Sequence, residues 1–219
     1  MAHLIVLEGL DGSGKGTQTE LLRKNLESLN KKVRVIDFPD YSSEGCTLVK
    51  MYLDGKLGNS PDDTNAFASS MFFAADRYVS YVTSWKNEYL DDETYIIANR
   101  YTTANAYHQL SKMPEDKWDE FLDWLWDFEF GKLGLPSPDT VILLDMPETV
   151  STDMVKHRSE ETGRKMDIHE KDIEYLHRCR KAAKYVADKC GWNVISCSDD
   201  SMQLRSREDI SSDVLKVAL

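Results

Sequence analysis

Residues 8–18 read EGLDGSGKGTQ, directly after the apolar run Leu4-Ile-Val-Leu7 and ahead of a segment in which Leu22, Leu26 and Leu29 recur at helical spacing. Gly9, Gly14 and Lys15 fall on the pattern G-x-x-x-x-G-K that joins a strand to a helix. Glycines at such a bend allow positive φ and gather several main-chain N–H groups at one point, and the helix start adds unpaired donors and the positive end of its dipole. Polyphosphate oxygens fit that concavity, with Lys15 supplying a full charge. A glycine-rich turn that merely happens to hold a lysine is the alternative, and the agreement of spacing with context argues against it.

Working outward, five short β-branched or apolar runs have strand length: Leu4 to Leu7, Val33 to Phe38, Tyr95 to Ala98, Thr140 to Leu144 and Val194 to Cys197. Helical spacing fills the gaps between them, in Phe67, Met71, Ala74, Tyr78 and Trp85 and again in Ile173, Leu176, Ala183 and Ala187. Alternating strands and helices predict an α/β fold of the P-loop NTPase type, three layers with a five-stranded parallel sheet flanked by helices. Ligands of such sheets gather beyond the carboxyl ends of the strands, so the residues that follow each run are the candidates. Among 219 residues there is no Pro/Gly/Ser-rich linker and no repeat, which predicts a single domain over 1–219.

A net charge of −11 disfavours a broad grip on a nucleic-acid polymer, which needs a positive footprint. No apolar run approaches the ~20 residues that span a bilayer, and no signal-peptide pattern precedes the first strand, so no membrane partner and a cytoplasmic location are expected. Cys46, Cys179, Cys190 and Cys197 lack the close pairings of zinc or redox motifs and read as packed thiols. The segment WDEFLDWLWDFEF, residues 118–130, places Phe121, Leu125 and Phe128 at helical spacing. It reads as a packed or subunit-facing helix, with no chemistry assigned.

One position departs from the loop pattern: Gly16 stands where a magnesium-binding hydroxyl is expected, and Thr17 follows. The order Lys-Gly-Thr-Gln resembles the nucleoside monophosphate kinases, adenylate kinases in particular. Taken with the rest of the chain, the likeness is to thymidylate kinases, whose EGxDGxGK, FPxY, FAxDR and DRYxxSNAxY motifs have as counterparts here EGLDGSGK, FPDY (38–41), FAADR (73–77) and NRYTTANAYHQ (99–109). A basic lid, within residues 156–167, and LPSPDTVILLDMPE complete the order, from residue 3 to about 197. On spacing alone, Phe73 and Arg77 read more readily as a core ring and a solvated arginine.

The resemblance implies phosphorylation of dTMP to dTDP by ATP, in dTTP biosynthesis. By it, Gly9, Asp11, Gly12, Ser13, Gly14, Lys15, Gly16 and Thr17 hold ATP; Phe73 stacks on thymine; Arg77 and Asn105 bond its polar edge, with Gln109 beside them; Arg100 and Tyr41 grip the monophosphate; Phe38 packs against the sugar. Mg²⁺ is expected, held by Asp11 and Thr17 and largely through water and phosphates. Gly12 occupies the position where some relatives carry a loop arginine, so the transition-state cation is expected from the lid, Arg164 first and Arg158 second, beside Lys15, Arg100 and Asp11 as the catalytic set. Asn99 replaces the aspartate usual before Arg-Tyr, Ala104 replaces a serine, and Tyr107-His108 stands in place of a small residue followed by tyrosine. Relatives form homodimers, and either the tryptophan-rich helix or the Phe67 to Trp85 segment offers an apolar seam. Another nucleoside or deoxynucleoside monophosphate kinase and a non-catalytic nucleotide-binding module are the alternatives.

Overall fold

The computed structural model describes residues 1–147, 150–151, 154–155, 160, 167–199, 201 and 203–219. Strand β1 (His3–Glu8) leads through the glycine bend to α1 (Lys15–Ser28) and back to β2 (Lys32–Asp37). Helices α2 (Thr47–Leu53) and α3 (Ala66–Ser80) follow, then β3 (Thr94–Asn99), α4 (Thr102–Leu110) and α5 (Trp118–Trp126). The chain closes with β4 (Thr140–Asp145), α6 (Ile173–Cys190), β5 (Asn193–Ser196) and α7 (Arg207–Ala218). The sheet order is β2-β3-β1-β4-β5 with all pairs parallel, as the alternation of runs predicts.

The period-two alternation of β1 sorts its side chains onto two faces. Ile5 and Leu7 pack with Ile97, Ile142 and Leu144 against Leu22 and Leu26 of α1 and Ile210 and Val214 of α7. Leu4 and Val6 pack with Ile96 and Ala98 against Tyr81, Trp85 and Tyr101 on the other side. Both faces of the central strands are covered, which is why those strands read as continuous apolar runs.

Two helices widen at their C-terminal ends into π turns, Tyr81–Trp85 after α3 and Asp127–Lys132 after α5. Such turns accommodate one extra residue and recur at functional sites. The stripe expected on α3 splits between two environments. Ala74 and Trp85 are fully buried, whereas Phe67, Met71 and Tyr78 stand 45%, 49% and 41% exposed, together with Val82 at 42%.

Candidate active site

Because β1 and β3 are neighbours, the glycine bend after β1 and Arg100 after β3 open onto the same carboxyl-end crevice. Gly12 and Gly14 hold φ of +78° and +82° in that bend, a region that only glycine enters without strain. A Cβ on Gly12 would in addition collide with the main-chain carbonyl of Ser151. Lys15 turns back over the bend, its Nζ donating to the carbonyls of Gly9 and Leu10 at 2.8 Å each.

Arg100 also has a left-handed backbone, φ +69°, uncommon for a residue with a side chain. Its guanidinium donates to Asp11 Oδ1 at 2.9 Å and to the Tyr107 hydroxyl at 2.9 Å, and lies 3.1 Å from His108 Nε2. Guanidinium only donates, so His108 Nε2 accepts and the ring is neutral with its proton on Nδ1, toward the Tyr175 hydroxyl at 3.1 Å. Burial, followed by the Arg100 charge, pushes His108 well below the usual histidine value. Burial opposes ionisation of Asp11 too, but the nearby charges of Arg100 and Lys15 outweigh it and hold the carboxyl well below its ordinary range. Glu8, at the end of β1, goes the other way: burial raises it, despite the Arg100 charge and hydrogen bonds from Thr103 and Tyr107.

Side chains far apart in sequence meet at the far wall. There Arg77 of α3 is 2% exposed and forms a two-pronged ion pair with the fully buried Glu129, Nε to Oε2 at 2.7 Å and Nη2 to Oε1 at 2.6 Å. Thr102 Oγ1 and Asn105 Nδ2 of α4 donate to the same carboxylate at 2.7 and 3.2 Å. Both amide atoms of the buried Gln109 have no protein partner among the described residues.

One cavity of about 710 Å³ joins these walls, lined by Asp11 through Thr17, Phe38, Tyr41, Phe73, Arg77, Arg100, Asn105 and Gln109. Of the described residues expected at the site, only Gly9 stands behind the lining, where its carbonyl accepts from Lys15. Arg158 and Arg164, the expected lid cations, lie outside the described residues. The lining also includes Asn99 and His108, noted in sequence only as departures from the family motif, Asp167 at the end of the expected lid, and His169 and Arg207, which carry no expectation from sequence. Burial lifts Asp167 to about 6 and drives His169 down to about 3, the latter assisted by the Lys112 charge. Glu129 is the largest omission, since the tryptophan-rich segment was given no chemistry. A lone carboxylate between Phe128 and Phe130 was the available signal.

A phosphate-binding bend, a cation fixed at the neighbouring strand end and a second wall of polar side chains in one crevice define the class of P-loop nucleoside monophosphate kinases. The family model described as thymidylate kinase matches residues 7–207, and the chain belongs to the thymidylate kinase family. It is 28% identical over 208 residues to the thymidylate kinase of Mycobacterium tuberculosis, covering 92% of this chain and 94% of that protein. It is 29% identical over 181 residues to the thymidylate kinase of Schizosaccharomyces pombe, covering 82% and 77% respectively. The solved thymidylate kinase of Candida albicans shares the fold, with a TM-score of 0.67 at 19% identity over 99% of this chain and 90% of that one.

Proposed function

We propose that this chain, acting as one domain in the cytoplasm, transfers the γ-phosphoryl group of ATP to the 5′-phosphate of dTMP, giving ADP and dTDP. The observation that carries the reading is the single cavity in which the glycine bend faces the Phe73, Arg77, Asn105 and Gln109 wall, so that donor and acceptor phosphates meet between them. Two anionic groups must be brought together, and catalysis consists mainly of alignment plus cations around the transferring group. Lys15 and Arg100 are the fixed cations. Arg164 and Arg158 of the lid are proposed to supply the mobile ones and to exclude water on closing. The attacking phosphate oxygen is already anionic at neutral pH, so no general base is required, and the neutral His108 positions Arg100 instead.

The oxygen donors suit Mg²⁺, a hard cation that keeps several waters. Asp11 is held ionised, Thr17 lines the cavity, and Asn99 Oδ1 is a buried oxygen with no protein partner among the described residues, while its amide nitrogen donates to Asp37 at 2.7 Å. When bound, the cation neutralises the phosphates. No cluster of three acidic, histidine or cysteine side chains able to hold a metal occurs among the described residues.

The exposed stripe of Phe67, Met71, Tyr78 and Val82 follows one face of α3 and its π turn, and is proposed as the seam of a homodimer. Light scattering of a Met71→Glu, Tyr78→Glu double variant tests it, with a shift from dimer to monomer as the expected result. For the reaction, dTMP, dUMP, dGMP and AMP are compared as acceptors with ATP and magnesium. The highest kcat/KM is expected for dTMP; preference for a purine would overturn the assignment, and ATP binding without transfer to any acceptor would make the chain a binding module.

A further inference from the structure

Glu129 comes from the π turn after α5, yet its carboxylate is wholly buried and meets four donors from α3 and α4. One of them decides a direction. Asn105 Nδ2 faces Glu129 Oε1 at 3.2 Å and the main-chain carbonyl of Ser70 at 3.5 Å. A carboxylate paired with a guanidinium only accepts hydrogen bonds, and so does a carbonyl oxygen. The Asn105 amide therefore turns its nitrogen toward this pair and its oxygen away from it. Oδ1 is buried and has no protein partner among the described residues, while Asn105 lines the cavity. Two of the three Arg77 nitrogens are likewise engaged by Glu129, which fixes the plane of the guanidinium.

The geometry points to Glu129 as the positioning residue that sets the polarity of base recognition: it holds Asn105 Oδ1 as an acceptor beside Arg77 as a donor, a pair complementary to an imide edge. This rests on the reading above in which Arg77 and Asn105 face the base of the acceptor nucleotide. Thymine and uracil offer a ring N–H flanked by carbonyl oxygens, and both polarities match. Cytosine offers a ring lone pair where Oδ1 needs a proton, and an amino group where Arg77 needs an acceptor. A site whose buried polar groups would be left unpaired rejects the wrong base strongly. Without the Glu129 carboxylate, only the Ser70 carbonyl at 3.5 Å still favours this orientation of the Asn105 amide, and that rejection weakens.

The test is Glu129→Gln in the full chain, since glutamine keeps the volume but can present an N–H to Asn105. The ratio of kcat/KM for dTMP over dCMP is measured together with equilibrium binding of each monophosphate in the absence of ATP. The ratio is expected to fall about tenfold or more, chiefly through KM for dTMP, a change that a general loss of packing would not produce. Should the variant lose its cooperative melting transition, Thr102→Val removes one donor to Glu129 and leaves the ion pair intact, and a fall of about threefold in the ratio is expected. A ratio unchanged within about twofold in the folded variant overturns the inference while leaving the proposed function standing. A wild-type chain that neither binds nor phosphorylates dTMP overturns the proposed function, and this inference with it.

Discussion

At one end of the cavity, the lining comes from a run of seven residues, Asp11 to Thr17, joined by Arg100 from the adjacent strand end. At the other, Arg77 and Glu129 are 52 residues apart in sequence, and Asn105 and Glu129 are 24 apart. The first end is made mainly of backbone, whose shape is enforced by φ values that few residue types tolerate. The second is made of side chains whose meeting depends on how α3, α4 and the turn after α5 cross. A backbone cradle survives many surrounding substitutions but few within it. A side-chain lattice can lose one member and leave the others buried without partners, which is the costlier failure for stability.

This contrast is broken most directly at Lys15. Lys15→Met should reduce kcat/KM by about 10³–10⁵-fold, the range found when a cation that stabilises the transferring phosphoryl group is lost, with the melting temperature nearly unchanged in a calorimetric scan. Arg77→Met should do the reverse. It leaves the Glu129 charge buried alone and should cost about 3–5 kcal/mol in urea unfolding. Arg77→Met with Glu129→Met should recover most of that stability without recovering dTMP affinity, and a double variant as unstable as the single one would show that the lattice is not what the ion pair holds together.

Gly12→Ala probes the cradle from within. The left-handed φ and the collision with the Ser151 carbonyl predict a loss of about 1–3 kcal/mol in the same unfolding experiment, with ATP affinity falling more than dTMP affinity. The smallest effect concerns pH. His169 Nε2 lies 2.9 Å from the Tyr52 hydroxyl, which accepts from Lys112 at 2.8 Å, so a proton on the buried ring would set a second charge beside the Lys112 ammonium. The ring's value is held at about 3 in the folded chain against about 6.5 unfolded, so the unfolded state takes up the proton first and stability falls as pH drops below 6.5. The His169 share of that loss should be about 2 kcal/mol between pH 6.5 and 5, and His169→Gln should remove that share while leaving the contributions of His108 and Asp167. Urea midpoints at both pH values measure the difference.

The same contrast explains what could be read before any coordinates were known. Sheet class and cradle follow from strand periodicity and glycine spacing, because both are local constraints that a linear sequence displays. Arg77 and Asn105 emerged only through family likeness, and on spacing alone Arg77 looked like a solvated residue although it is 2% exposed. Its burial is set by Glu129, which no local pattern joins to it. The α3 stripe was legible only in part: helical periodicity records that residues share a face, not which of them the core covers. Phe67, Met71 and Tyr78 are the ones it leaves exposed.

The turn that carries Glu129 has one residue more than a regular helical path would need, as the bond from Leu133 N to Phe128 O at 2.9 Å records. A helix advances about 100° per residue, so deleting a single position between Trp126 and Glu129 would let the coil tighten and swing the carboxylate off its axis toward a flank. On the proposal that Glu129 sets the polarity of base recognition, nucleobase choice is coupled to a count of residues as much as to their identity. A lineage that lost or gained one amino acid there would then change its substrate preference with Arg77 and Asn105 unaltered.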